Sequence, residues 1–182
     1  MEAFKKVLGQ EHLDTLTSMG NLASTYRSQG RWKEAEELEV QVMETFKRVL
    51  DQEHPDTLTS MGNLASTYRS QGRWKEAEEL EVQVVEMGKR VLGQEHPSAL
   101  VNIGNLASTY RNQGLWKEAE ELEVQVTKMR KRVLGQDHPD TLTNMADLAT
   151  TFLSQGRRTE AKEIQIEAIN ARHHRPSVER TF

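Results

Sequence analysis

The fold of this chain is decided by the stretch Gly62-Asn63-Leu64-Ala65-Ser66-Thr67-Tyr68-Arg69-Ser70-Gln71-Gly72-Arg73-Trp74-Lys75-Glu76-Ala77, because close copies of it recur at a fixed spacing. One copy begins at Gly20 and another begins at Gly104, at equal distances on either side of Gly62. A more divergent copy begins at Ala146, after the same interval again. Four copies at one period indicate a repeat protein rather than a single globular core.

The first two complete repeats are nearly identical. Units 12–53 and 54–95 differ at only five of their positions. The differing pairs are Leu13/Pro55, Met43/Val85, Thr45/Met87, Phe46/Gly88 and Asp51/Gly93. Because the identity extends to positions expected on the surface, we interpret it as recent duplication. The identity by itself therefore does not mark functional residues.

Each unit is predicted to form two α-helices. The first covers about residues 14–29 and the second about residues 32–50, and both carry apolar residues at helical spacing. These are Leu16, Met19, Leu22, Ala23 and Tyr26 in the first helix, and Trp32, Ala35, Leu38, Val42, Phe46 and Val49 in the second. Since Trp32, Trp74 and Trp116 are in phase with this stripe, we expect them to lie in the core between helices.

Two helices per repeat, with no strand pattern, predict an all-α fold. Neither helix can bury its apolar face alone, so antiparallel pairs must stack into an α-solenoid. Residues 12–53, 54–95 and 96–137 are predicted to be repeats 1 to 3, and residues 138–171 a fourth, capping repeat. Residues 1–11 match the end of a unit, so we expect a second helix without its first, as in a piece of a longer array. Residues 172–182 are polar and aperiodic, which predicts a disordered tail.

The repeat resembles the tetratricopeptide repeat, whose signature is similar to the run Asn63-Leu64-Ala65, Tyr68, Gly72, Trp74 and Ala77. The length of the period and the His-Pro-Asp-Thr openings at His54 and His138 resemble the kinesin-light-chain subtype, which also occurs in near-identical arrays of fungal receptor-type proteins. The resemblance implies a right-handed superhelix that acts as a protein-binding scaffold. One departure is that Glu39, Glu81 and Glu123 stand where the family usually has an aromatic residue.

A polar stripe on the first helices is the candidate binding site. It lies opposite the apolar face, on the side that lines the concave groove in the resembled family. The predicted groove residues are Asn21, Ser24, Arg27, Thr59, Asn63, Ser66, Arg69, Asn105, Ser108, Arg111 and Asn112. A glycine recurs beside them although glycine disfavours a helix by about 1 kcal/mol relative to alanine. Asparagine both donates and accepts hydrogen bonds, which suits the backbone of an extended peptide.

Two alternatives for this stripe stay open at the level of sequence. The glycines could instead allow close packing of a first helix on its neighbour, with the asparagines merely solvated. The ladder of Arg27, Arg69 and Arg111 could bind acidic partners through the fork geometry of the guanidinium. It could equally pair with glutamates of the chain itself.

Composition narrows the function classes. The net charge of −4 argues against a nucleic-acid partner, and the lack of cysteine excludes thiolate chemistry. No segment predicts a membrane span or a signal peptide, so we expect no membrane partner and a cytoplasmic location. The four repeat histidines lie one per unit, too far apart to share a metal, and are expected at the turn before each first helix. Glutamate clusters such as Glu34, Glu36, Glu37 and Glu39 are interpreted as solvated surface.

The sequence therefore favours a scaffold that is not an enzyme and that uses no cofactor. Its predicted partner is an extended peptide or helix of another protein, bound in the groove of first helices. The alternative hypothesis is a structural or self-associating segment of a larger receptor-type protein, pairing through an open N-terminal face.

Overall fold

The computed structural model describes residues 8–173, all of whose regular structure is α-helical. Eight helices lie wholly within this part of the chain. They are α1 (Leu13–Ser28), α2 (Trp32–Leu50), α3 (Pro55–Ser70), α4 (Trp74–Val91), α5 (Pro97–Gln113), α6 (Trp116–Val133), α7 (Pro139–Ser154) and α8 (Arg158–His173). We call the odd-numbered helices first helices and the even-numbered ones second helices. The predicted all-α class is confirmed, and the observed bounds of the first two helices nearly coincide with the predicted ones.

A histidine caps the N-terminus of each first helix. Nδ1 of His12 accepts a hydrogen bond of 3.2 Å from the backbone N–H of Asp14, and His54, His96 and His138 make the same bond in their repeats. This bond satisfies one of the backbone donors that a helix leaves free at its N-terminus. The expected place of the histidines at the turn is confirmed, with an N-capping role as its reason.

A short turn ends each first helix and reverses the chain. Gly30 adopts a left-handed φ of 75°, which an L side chain disfavours, and its N–H donates to the carbonyl of Arg27. The N–H of Arg31 donates to the carbonyl of Tyr26 at 2.9 Å, completing a Schellman motif. The Arg31 guanidinium then stacks 4.0 Å from the centre of the Tyr26 ring. Arg157 and Phe152 form the same closure in the last repeat.

The helices pack in chain order within two compact units that divide the chain between Asn102 and Ile103. In the first unit, α1 packs on α2, α2 on α3 and α3 on α4. Its core consists of two clusters of buried side chains: Leu16, Met19, Val42 and Phe46 form one, and Met43, Leu58, Met61, Leu64 and Val84 form the other. In the second unit, α6 packs on α7 and α7 on α8, around Leu148, Ala149, Phe152 and Ala161.

Two predictions about the core are wrong. Trp32 is 42% exposed, and Trp74 and Trp116 are only partly buried, so the tryptophans are not core anchors. Each is the first residue of its helix, so it lies at the end of a helix rather than in its middle. Val49 is 45% exposed as well, because it lies in the last turn of α2. The core is instead centred on the middle of each helix.

The predicted ends of the chain fall largely outside the described residues. Residues 1–7 of the predicted partial repeat and residues 174–182 of the predicted tail belong to this outer part. The described part of the capping repeat contains a complete helix pair, α7 and α8. The division into repeats therefore stays a proposal, with the helix pairs as its support.

Candidate peptide-binding groove

The structure brings four predicted site residues together in the first unit. Asn21 and Ser24 on α1 face Thr59 and Asn63 on α3 across a pocket of about 310 Å³. The remaining lining residues are Leu16, Thr17, Gly20, Val42, Phe46, Asp56 and Ser60. We call this cavity the groove pocket. Its rim is polar and its floor is apolar, which is a combination suited to a peptide side chain and its adjoining backbone.

The floor residues were missed as site residues. Val42 and Phe46 project from α2 between α1 and α3, and they are 4% and 6% exposed. Helical periodicity assigns them to the core, and the same side chains do pack against Leu16 and Met19. The one signal that could have found them is the substitution of Phe46 by Gly88 between two otherwise near-identical repeats.

The interior glycines Gly20 and Gly62 make no close packing contact with the described part of the first unit. Within residues 8–173, a Cβ atom placed on Gly20 or on Gly62 would meet no side chain and no other helix within 4 Å. The packing alternative therefore has no support from the described residues at these two positions, where the missing side chain leaves open space beside the groove pocket. Gly104 differs, since its Cβ would lie 3.8 Å from Oδ1 of Asn144 and 4.0 Å from Nη2 of Arg130.

The arginine ladder is engaged by glutamates of the chain itself. Arg27 lies 3.6 Å from the carboxylate of Glu39, Arg69 lies 3.4 Å from that of Glu81, and Arg111 lies 3.3 Å from that of Glu123. Nη1 of Arg27 also donates to the carbonyl of Asn63 at 3.1 Å, so it links α1 to α3. Of the two alternatives for the ladder, pairing within the chain is the one that the structure contains.

The prediction that Glu39 is a solvated surface residue is wrong. It is 2% exposed, as is Glu123, and Glu81 is 4% exposed. Burial raises the pKa of Glu39 and of Glu123 to about 7, because it disfavours the charged carboxylate, while neighbouring threonine hydroxyls and arginines oppose the shift. Glu39 stands where the resembled family has an aromatic residue. The position therefore still belongs to the core, but an ionisable side chain fills it.

The other predicted residues lie along the same faces. Ser66 is half-buried on α3, and its carbonyl accepts a bond of 2.9 Å from the hydroxyl of Ser70. In the second unit, Asn105 and Ser108 are half-buried on α5, and the exposed Asn112 donates to the Ser108 carbonyl at 2.7 Å. These residues are not part of the groove pocket lining.

Within residues 8–173, no three histidine or carboxylate side chains are grouped so that they could hold a metal ion. The helices of this range also lack a stretch that is long and apolar enough to cross a bilayer.

Comparison with known proteins identifies the repeat. The family model described as tetratricopeptide repeat matches residues 15–56, 57–98, 103–140 and 141–174. No curated protein matches the chain by sequence.

Solved structures show the same fold. The nearly identical TPR-like repeats of a kinesin light chain-like protein from Podosopora anserina share 36% identity, with a TM-score of 0.81, and the match covers 96% of this chain and 83% of that one. A substituted variant of those repeats gives 35% identity and a TM-score of 0.83 over 93% and 80% of the two chains.

BtubC from P. vanneervenii is a more distant structural match. It has 19% identity and a TM-score of 0.80 over 87% of this chain and 63% of that one, which shows a shared fold alone. These likenesses confirm the predicted solenoid class of fold. The chain belongs to the tetratricopeptide repeat family, and its repeats are of the kinesin light chain-like kind.

Proposed function

We propose that this chain is a scaffold that binds an extended peptide of a partner protein along its first helices. Tetratricopeptide repeats generally form non-catalytic scaffolds for protein–protein interaction. The observation that carries the finer proposal is the groove pocket, in which the amide side chains of Asn21 and Asn63 flank an apolar floor. The rim amides would bond the peptide backbone, and the floor would take an apolar side chain.

The open space over Gly20 and Gly62 supports this assignment. A helix-interior glycine is unfavourable by about 1 kcal/mol relative to alanine, and no neighbouring atom of the described residues requires one at either position. A ligand that approaches the backbone closely would account for both glycines. The arginine ladder has a supporting role here, since Arg27 fixes the backbone of Asn63 and thereby the spacing of the two pocket walls.

The proposal is tested with a random-peptide phage library selected on the purified chain. Peptides that are enriched would be synthesised and titrated calorimetrically against the wild type and against Asn21→Ala/Asn63→Ala. Loss of the backbone hydrogen bonds should weaken binding by about tenfold or more. The matched control is Gln41→Ala, which removes an exposed amide on α2 outside the groove pocket.

Two results would count against groove binding. One is a library selection that enriches no peptide, and the other is enriched peptides whose affinity is the same for wild type and the double variant. The rival hypothesis of self-association is separated by light scattering: a chain that remains monomeric at high concentration is not a self-associating segment. The expected cytoplasmic location belongs to the same proposal, and cell fractionation checks it.

A further inference from the structure

Asp56 gives the groove pocket a negative charge. Among the described residues that line the pocket, it is the one with a charged side chain, and that side chain is 56% exposed. Nδ1 of His54 lies 3.7 Å from the carboxylate, but it accepts a hydrogen bond from the backbone N–H of Asp56 and so carries no proton there. Within residues 8–173, no lysine or arginine forms an ion pair with Asp56. The pocket therefore presents a carboxylate that has no basic partner in this part of the chain.

In the second unit, a cation of the chain itself lies beside the equivalent aspartate. Nη1 of Arg130 donates to the carbonyl of Asp140 at 2.9 Å and to Oδ1 of Asn144 at 3.3 Å. Nη2 lies 4.0 Å from the place of a Cβ atom on Gly104. Burial lowers the pKa of the Arg130 guanidinium, and the negative charges of Asp140 and Asp147 oppose this shift. The repeat can therefore hold a guanidinium at this place although the side chain is only 8% exposed.

The groove pocket has the same surroundings without the cation. Each member of the cluster around Arg130 has an equivalent in the pocket lining, at the same position of the repeat. The pairs are Arg130/Phe46, Gly104/Gly20, Asp140/Asp56 and Asn144/Ser60. Phe46 has no side-chain donor, and among the described residues no side chain and no other helix lies within 4 Å of a Cβ atom placed on Gly20. The place that corresponds to the guanidinium of Arg130 is therefore open to a ligand in the first unit.

We infer that the groove pocket binds an arginine side chain of the partner peptide. The methylene stem of that arginine lies on the apolar floor formed by Val42 and Phe46, and its guanidinium pairs with the carboxylate of Asp56. A guanidinium can bind a carboxylate through two parallel hydrogen bonds and can stack on an aromatic ring, which favours arginine over lysine. The inference rests on the proposed function, because it names the side chain that the same pocket selects.

The probe is again the random-peptide phage library, selected in parallel on the wild type, Asp56→Ser and Asp14→Ser. Repeat 3 already has a serine at this position, and Ser98 keeps the hydrogen bond to its capping histidine, so circular dichroism should show intact helix content. Asp14 is the matched control, because it has the same position in α1 but does not line the pocket. We expect arginine to be enriched at one peptide position with the wild type and with Asp14→Ser, but not with Asp56→Ser. Equal enrichment with all three proteins would overturn the inference.

Synthetic peptides separate the charge of the ligand from its shape. Citrulline in place of the selected arginine keeps the length of the side chain but removes its charge. This change should weaken binding to the wild type by about tenfold or more, and binding to Asp56→Ser by much less. Lysine at the same peptide position should recover only part of the affinity. A citrulline peptide that binds the wild type as tightly as the arginine peptide does would contradict the inference.

Phe46→Arg tests the place of the ligand directly. The variant installs the residue that repeat 3 holds at this position, so its guanidinium should fill the space beside Gly20 and lower the affinity for the arginine peptide by about tenfold or more. An unchanged affinity in the folded variant would show that the arginine binds elsewhere. If peptides bind through Asn21 and Asn63 with no preference for arginine, this inference fails and the proposed function stands. If no peptide is enriched, both fail.

Discussion

Nε of Arg111 lies 3.3 Å from Oε1 of Glu123, whose side chain is only 3% exposed, so an ion pair occupies a core position of the repeat. The other carboxylate oxygen accepts a bond of 2.7 Å from the hydroxyl of Thr151 on α7. Equivalent pairs join Arg27 to Glu39 and Arg69 to Glu81. Each pair connects a first helix to the second helix of the same repeat, and its carboxylate is buried.

This burial predicts a stability that depends on pH. The folded-state pKa of Glu123 is raised from 4.5 to about 7, so the folded protein binds this proton more tightly than the unfolded chain does. The stabilisation of the folded state by Glu123 is therefore fully present below about pH 4.5, and it is lost as the pH rises through 7. We expect Glu123→Gln to remove roughly 1–3 kcal/mol of this variation in the free energy of unfolding.

Urea denaturation at pH 5 and at pH 8 measures the free energy of unfolding of Glu123→Gln and of the wild type, and the change between the two pH values is compared. The exposed Glu121→Gln on the same helix is the matched control and should leave the pH profile unchanged. Equal pH profiles for Glu123→Gln and the wild type would show that Glu123 does not titrate in this range.

Replacing an interior glycine should stabilise the fold and weaken binding. Gly20→Ala adds a methyl group to open space in the middle of α1, so the free energy of unfolding should rise by about 0.5–1 kcal/mol. The same methyl group would intrude on the groove pocket and lower the affinity for a selected peptide. Thermal denaturation of Gly20→Ala measures the change in stability, and calorimetric titration of the same variant measures the change in peptide affinity.

The matched control is Gly30→Ala, which should destabilise the chain because Gly30 has a φ of 75°. An unchanged peptide affinity in Gly20→Ala would mean that the ligand does not approach α1 at this glycine.

Removing Asn144 should destabilise the second unit. It is 3% exposed and its side chain bonds the Glu123 carbonyl, the Thr127 hydroxyl and the Arg130 guanidinium. Asn144→Ala takes a partner from each of these groups, which should lower the free energy of unfolding by about 1–3 kcal/mol. The exposed Asn112→Ala serves as the control and should change it by less than about 0.5 kcal/mol. If chemical denaturation shows the same loss of stability for both variants, the hydrogen bonds of Asn144 do not stabilise the second unit.

The histidine caps should contribute measurably to helix formation. His54→Ala removes the acceptor for the N–H of Asp56 and should lower the free energy of unfolding by about 1 kcal/mol. His54→Ser supplies another capping oxygen, so most of the loss should be recovered. Thermal denaturation of the two variants checks this, and a similar melting temperature for both would show that the bond at His54 does not stabilise α3.

The sequence by itself determined the repeat, the helix pairs and most of the core. A strict period and apolar residues at helical spacing leave one class of architecture, because each helix has a single face to bury. The glycines at 30, 72 and 114 mark the turns, since only glycine adopts their left-handed φ easily. The polar stripe with Asn21 and Asn63 was also predictable, as helical geometry places it opposite the apolar face.

Only the tertiary structure decided which charges are buried and which apolar residues line the groove. Glu39 is one of several glutamates that the sequence pattern places on the surface, yet packing against the preceding helix encloses it. Phe46 is predicted as core, yet the space between α1 and α3 leaves its side chain at the floor of a pocket. Helical periodicity specifies the face on which a residue lies, whereas its exposure depends on how far apart the neighbouring helices pack, and that distance is set by side chains distant in sequence.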